Sequence, residues 1–164
     1  MKSGKLIVIS PPSGTGKTSI CKKLLKKNSD WNFSVSATTR EKRPEEIDGV
    51  DYFFVSKDEF ENLIKKNEFY EYAKIFENYY GTSKQSVKNI LDKKNDILFD
   101  IDWQGTQQLK KIKDLSLVTI FIIPPNVKIL KERLLNRHQG QEKLIEERMN
   151  KFNEELSHWN EYDY

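Results

Sequence analysis

Leu6-Ile-Val-Ile9 runs directly into Ser10-Pro-Pro-Ser-Gly-Thr-Gly-Lys-Thr-Ser19, and the reading of this stretch decides the fold. Four consecutive apolar residues read as a strand buried on both faces, the kind that lies in a parallel sheet covered by helices. The segment behind them has the form of a phosphate-binding loop. Gly14 and Gly16 let the backbone bend so that successive N–H groups, and the N-terminus of the following helix, face an anion. Ser13, Gly14, Thr15, Gly16, Lys17, Thr18 and Ser19 are therefore the phosphate-binding candidates, with Lys17 reaching the outer phosphates and Thr18 offering its hydroxyl to Mg²⁺. Pro11 stands at the first glycine position of G-x-x-x-x-G-K-[ST], while the strand before and the helix after supply the context the motif requires. A dinucleotide-binding turn is excluded, because the spacing is G-x-G-x-x-S and the lysine has no role in such a turn.

Two further apolar runs, Ile97–Ile101 and Leu117–Ile123, read as buried strands of the same sheet. Helical periodicity over Ser19–Lys27 and Gln104–Lys113 lies between the strands, so the order strand, helix, strand predicts an α/β fold with right-handed crossovers. The run from Ile97 ends in Asp100 and Asp102, where such a sheet opens its ligand crevice. A carboxylate there can hold Mg²⁺ through water, and its alternate can face the crevice or a bound base. Either can equally cap the strand end or form a salt bridge.

The middle of the chain has another texture. Of the 19 aromatic residues, twelve fall between Trp31 and Tyr80, in short alternating pieces, which predicts a small, mostly β subdomain over Ser34–Ser83 inserted into the α/β core. One helix is expected within it, Lys57–Asn67, opened by a Ser56/Glu59 capping box and carrying Phe60, Leu63 and Ile64 on one face. Most of these aromatics are packing residues on this reading. After Pro124-Pro125 the pattern predicts two helices, Val127–Arg137 and Glu142–His158, broken at Gly140. The pair can act as a lid over a site or stand as a static hairpin.

At 164 residues the chain has room for one domain with a sizeable core. Its longest apolar runs are too short for a membrane span, and the N-terminal Met1–Ser10 segment is too short in apolar residues for a secretory signal. Cys21 alone can form no internal disulfide and reads as a small core residue; a cytosolic setting is the default expectation. The net charge of +3 is too mild and too mixed for a nucleic-acid surface. The choice of cation is more telling. Only five of the 28 basic residues are arginines (Arg40, Arg43, Arg133, Arg137 and Arg148), so each is a candidate for two-pronged recognition of phosphate or carboxylate, or for a surface salt bridge.

The segments PSGTGKT, FSVSATTREKRP, DGVDYFFVS, NEFYEYAKIFENYYGTS and FDIDWQG, in this order, closely resemble guanylate kinase, and the resemblance runs from Leu6 to about Tyr164. It implies a single domain: a P-loop parallel-sheet core (1–33 and 84–126), a GMP-binding segment (34–83) and a helical lid (127–158). It implies transfer of the γ-phosphoryl group of ATP to GMP, with Mg²⁺, in purine nucleotide metabolism. Nucleic acid and membrane are not implied as partners, and oligomeric state is left open. In the family's pattern Arg40 and Arg43 grip the acceptor phosphate with the hydroxyls of Tyr52 and Tyr80, while Ser36, Glu71, Thr82 and Asp102 match the guanine contacts. Gly81 would let the chain turn close to the nucleotide. Lys17 matches the ATP-phosphate ligand, Thr18 and Asp100 the metal contacts, and Arg133, Arg137 and Arg148 the lid arginines that neutralise the moving phosphoryl group. The chemistry agrees: guanine presents N1–H and an exocyclic amine side by side, which a carboxylate such as Glu71 accepts as a pair, whereas adenine offers a lone pair there.

Three departures stand out: Pro11 for a glycine, Gln139-Gly140 where the lid commonly has Thr and an acidic residue, and an end at Tyr162-Asp-Tyr164 where family members begin a last strand and go on to a closing helix. Where those elements are truly absent, rather than outside this sequence, the expected consequence is a sheet short of an edge strand and weakened ATP binding. The alternative class is a catalytically inactive guanylate-kinase-like protein-interaction module, which loses the loop lysine or the acceptor set; this chain keeps Lys17, Arg40, Arg43, Glu71 and Asp102. A kinase for another nucleoside monophosphate leaves Glu71 unexplained. His138 and His158 read as solvent-facing.

Overall fold

The computed structural model describes residues 4–10, 12, 15–137 and 140–164. In chain order the elements are β1 (Leu6–Ser10), α1 (Lys17–Lys27), β2 (Trp31–Phe33), β3 (Ala37–Thr38), β4 (Phe53–Phe54), α2 (Lys57–Lys65), β5 (Phe69–Ile75) and β6 (Asn78–Ser83). They continue with α3 (Lys84–Leu91), β7 (Asp96–Asp100), α4 (Trp103–Lys110), β8 (Leu117–Phe121), α5 (Val127–Arg137), α6 (Glu142–Ser157) and a 3₁₀ turn at Trp159–Glu161.

The core sheet has the order β2-β7-β1-β8, all parallel, with β1 paired to β7 through Leu6–Ile97 and to β8 through Leu6–Leu117. Alternation along β1 feeds two layers. Leu6 and Val8 pack with Ile97, Phe99 and Leu109 on one face, and Ile7 and Ile9 with Cys21 and Leu98 on the other. Every residue of β1 is buried, as a strand covered on both sides requires. The chain's last residues lie against the outer edge of β8: Phe121 N donates to Tyr164 O (2.8 Å), Tyr164 N to Thr119 O (3.2 Å), and the Asp163 carboxylate accepts from Thr119 N (2.8 Å).

A second, mixed sheet follows the order β4-β3-β6-β5, with β3 and β4 parallel and the remaining pairs antiparallel. Its apolar side is closed by α2, whose capping box is formed in both directions: Glu59 N donates to Ser56 Oγ (3.2 Å) and Ser56 N to Glu59 Oε2 (2.8 Å). Phe60, fully buried, stacks on Phe69 at 4.5 Å and on Tyr79 at 5.3 Å. Gly81 lies inside β6 rather than in a turn; a Cβ there would stand 2.9 Å from the Phe60 ring, so close packing requires the glycine.

Several boundaries differ from the sequence reading. Trp31–Phe33 is a fourth core strand, short and at the sheet edge, and 84–91 is a helix packed on the core through Val87. The last core strand ends at Phe121, leaving Ile123 exposed, and the helix after the phosphate loop begins at Lys17. His158 is not solvent-facing: its ring stacks on Trp103 at 3.8 Å and bonds Glu161. His138 lies outside the described residues, as do Pro11 and Gln139.

Candidate active site

The carboxyl ends of β1 and β7, the inner side of the mixed sheet and the helices α5 and α6 enclose a cleft of about 550 Å³, a size suited to small-molecule ligands. Pro12, Gly16 and Ser19 form its floor. Gly16 holds φ +96°, where a Cβ would meet no neighbour within 4 Å; the left-handed backbone, not crowding, selects glycine and turns the loop into α1. Thr15 is buried, with its hydroxyl donating to Pro12 O at 2.8 Å. Ser13 and Gly14, and the side chains of Lys17, Thr18 and Arg137, lie outside the described residues. Asp100, opposite Ile9 at the end of β7, lines the cleft next to this floor.

On the opposite wall Arg40, Arg43, Tyr52 and Tyr80 come together. The Arg40 guanidinium lies over the rings of Tyr52 (5.5 Å) and Phe54 (5.8 Å) and bonds Tyr80. Glu46, not singled out from the sequence, ties the pair: Arg40 Nη2 donates to Glu46 Oε1 at 2.7 Å and Arg43 N to Glu46 Oε2 at 2.9 Å. Burial alone would raise the Glu46 carboxyl, but the Arg40 bond and the Arg43 backbone bond outweigh it and hold the group below the ordinary range. The signal was present as a carboxylate three residues after Arg43, yet a mixed run such as EKRPEE reads equally as a solvated face.

At the inner end stand Ser36, Glu71 and Asp102, all buried. Asp102 is both a cleft residue and the cap of α4, accepting from Gly105 N (3.1 Å) and Gln104 Nε2 (3.0 Å). Thr82 sits behind the wall, fully buried, bonded to Ser36 Oγ at 3.2 Å and to Glu71. Glu71 is 3% exposed, and its Oε1 has no hydrogen-bond partner among the described residues. Burial, reinforced by the nearby Asp102 charge and opposed by the Thr82 bonds, pushes its carboxyl up to about 7. An unfilled acceptor held beside a second carboxylate can accept from adjacent N–H donors.

The helical hairpin closes the outer side. Arg133, from α5, donates to Thr15 O at 3.2 Å, and Arg148, from α6, reaches the cleft with its guanidinium 5.6 Å from the Phe76 ring. Lys151, one turn on, lies 5.1 Å from the same ring, and Glu155 also lines the cleft. Phe76, Lys151 and Glu155 carried no signal in the sequence, since a lone aromatic at a hairpin tip and a charged helix face are ordinary surface features.

The family model described as guanylate kinase matches residues 3–164, nearly the whole chain. This chain belongs to the guanylate kinase family. The guanylate kinase of Rickettsia felis is 50% identical over 98% of this chain and 83% of its own length, and that of Pseudoalteromonas translucida is 52% identical over 98% and 78%. A crystal structure of guanylate kinase from Anaplasma phagocytophilum superposes with a TM-score of 0.81 at 34% identity, covering 99% of this chain and 76% of that one. The guanylate kinase fold, a P-loop parallel sheet with a second mixed sheet and helices, is thus the fold of this chain, and relatives bearing an enzyme's name do not favour the inactive-module alternative. Among the described residues, no helix is long and apolar enough to cross a membrane.

Proposed function

We propose that this chain transfers the γ-phosphoryl group of ATP to GMP, giving ADP and GDP, and that the cleft residues divide the work as follows. The observation that carries the reading is the buried Glu71 carboxylate beside Asp102, whose Oε1 has no hydrogen-bond partner among the described residues, in the same cleft as the Arg40–Arg43 pair. Glu71 and Asp102 accept the guanine N1–H and exocyclic amine, with Ser36 and Thr82 completing the pocket. Arg40 and Arg43, with Tyr52 and Tyr80, hold the acceptor phosphate by charge-assisted bonds. The floor residues Gly16 and Ser19, with Ser13, Gly14, Thr15 and Lys17 of the same loop, hold the ATP phosphates against the start of α1.

The attacking oxygen belongs to an ionised phosphate, so no general base is required. Catalysis rests on alignment of the two phosphates and on charge neutralisation by Lys17, Arg133, Arg137 and Arg148. Residues 34–83 act as the GMP-binding segment, 127–158 as the lid, and the remainder as the core. Lid closure excludes water and suppresses ATP hydrolysis. Asp100, a carboxylate lining the cleft beside the phosphate floor, suits a hard divalent cation that is held mainly by substrate phosphates, with Thr18 as the second contact. When bound, Mg²⁺ supplies neutralisation of the ATP phosphates. The reading puts the chain in the cytoplasm, where ATP is regenerated.

The test is ADP formation by this chain from ATP and Mg²⁺ with GMP as acceptor and AMP as control. GMP-dependent turnover with AMP rejected is expected. Equal use of AMP, or turnover that ignores GMP, overturns the assignment.

A further inference from the structure

The helix that starts at Asp102 touches the base-reading wall at three points along one row. Asp102 caps it, Gly105 lies against the Glu71 carboxylate, and Gln108 reaches the strand that carries Glu71. The Gln108 contact is a two-pronged fork: Nε2 donates to Tyr72 O at 2.7 Å, and Oε1 accepts from Tyr72 N at 3.1 Å. Reversing the amide would oppose oxygen to oxygen and N–H to N–H, so the two bonds together define its orientation. β5 is the edge strand of the mixed sheet, and the fork occupies the hydrogen-bonding positions that a further strand would take at this residue.

The geometry points to Gln108 as a positioning residue for base recognition. Glu71 precedes Tyr72 in the strand, so pinning both backbone polar atoms of Tyr72 fixes the Glu71 backbone against α4, and with it the spacing between the Glu71 and Asp102 carboxylates. The core and the inserted sheet are joined here by a bonded side chain, not only by packing. Two carboxylates that read adjacent N–H donors tolerate little drift, because a bond lengthened or bent at a buried charge loses most of its worth. Gln108 touches no part of the nucleotide on this account and acts through Glu71. The inference rests on the guanine reading given above.

The test is Gln108→Met, which keeps the length and removes both bonds, assayed with GMP, with IMP, which lacks the exocyclic amine, and with ATP varied at saturating GMP. The expected result is a KM for GMP raised about tenfold, kcat within about threefold of the parent, an unchanged KM for ATP, and a smaller preference for GMP over IMP. A lowered thermal midpoint with GMP preference and KM unchanged would overturn it, as would an equal rise in the KM for ATP. Should the variant fail to fold, exchange of the Tyr72 amide in the parent chain decides. Slow exchange without nucleotide, slowed further by GMP, supports the fork, and fast exchange in both states removes it. Glu71→Gln in the same assay separates the two levels: loss of GMP preference there but none in Gln108→Met rejects only the role of Gln108, whereas preference intact in both rejects the base reading itself.

Discussion

The Glu71 carboxylate lies so close over Gly105 that a Cβ on that glycine would stand 2.4 Å from Glu71 Oε2 and 3.3 Å from Ile101 Cδ1. Gly105 occupies the first turn of α4, so the absence of a side chain lets a buried carboxylate approach the positive end of a helix. In Gly105→Ala the helix itself gains up to about 1 kcal/mol of intrinsic propensity, while the carboxylate must move away. A thermal midpoint close to that of the parent is expected, with KM for GMP raised tenfold or more. A midpoint collapse with unchanged KM would show that the glycine serves packing alone.

The titration of Glu71 has a defined direction. Because burial pushes this carboxyl up to about 7, the folded chain keeps, between the ordinary carboxylate range and pH 7, a proton that the unfolded chain has released. Stability contributed by this group therefore falls as pH rises through that window, by about 3 kcal/mol in all. Asp102 and Thr82 face it, the first adding to the shift and the second opposing it. A guanine ring, which donates, requires the ionised form, so GMP binding near pH 6.5 should release a proton that Glu71→Gln does not release. Calorimetry of both chains in two buffers of different ionisation enthalpy measures this difference, and equal proton release by the two would reject the assignment.

What was legible before the structure follows from how locally each feature is encoded. β1, the phosphate loop and the capped helix α2 each announce themselves within ten residues, through an apolar run, paired glycines before Lys17, and Ser56 with Glu59. β2 did not, because three residues with Asn32 in the middle show no periodicity and belong to the sheet only through Leu98 and its neighbours. The helix after Ser83 begins without a side-chain cap bond. In the site, arginines stood out against a lysine-rich background, whereas Glu46 and Phe76 acquire meaning only from what the fold sets beside them. His158 was misread for the same reason: its partner Trp103 lies 55 positions away and is brought to it by tertiary packing.

Glu46 holds the arginine wall of the cleft through three bonds: its carboxylate accepts from the Arg40 side chain and from Arg43 N, and its carbonyl oxygen accepts from Lys42 Nζ at 2.9 Å. Removing the carboxylate frees Arg40 from a competing anion but also releases its orientation and the turn that places Arg43. Pre-organisation dominates where the guanidinium is largely covered, as here with 16% of the Arg40 side chain exposed. Glu46→Ala should thus raise KM for GMP about tenfold and cost about 1–2 kcal/mol of stability. Tighter GMP binding in this variant would show that the carboxylate acts as a competitor.

Arg148 and Lys151 both sit over the ring of Phe76, at the tip of the β5–β6 hairpin, where Phe76 holds φ +53°, a conformation rarely adopted by a bulky residue. The ring thus gathers two cationic side chains at the cleft edge, which Glu155 also lines. If Arg148 neutralises the phosphoryl group in flight, Arg148→Ala should lower kcat by about 10²-fold while the Kd for GMP, measured without ATP, changes less than twofold. Phe76→Leu keeps both charges and removes the ring, so its kcat should fall by only several-fold, in keeping with a cation–ring contact of about 0.5–1 kcal/mol, and Phe76→Tyr should restore it. A weakened Kd for GMP in Arg148→Ala would instead assign this arginine to the acceptor side of the cleft.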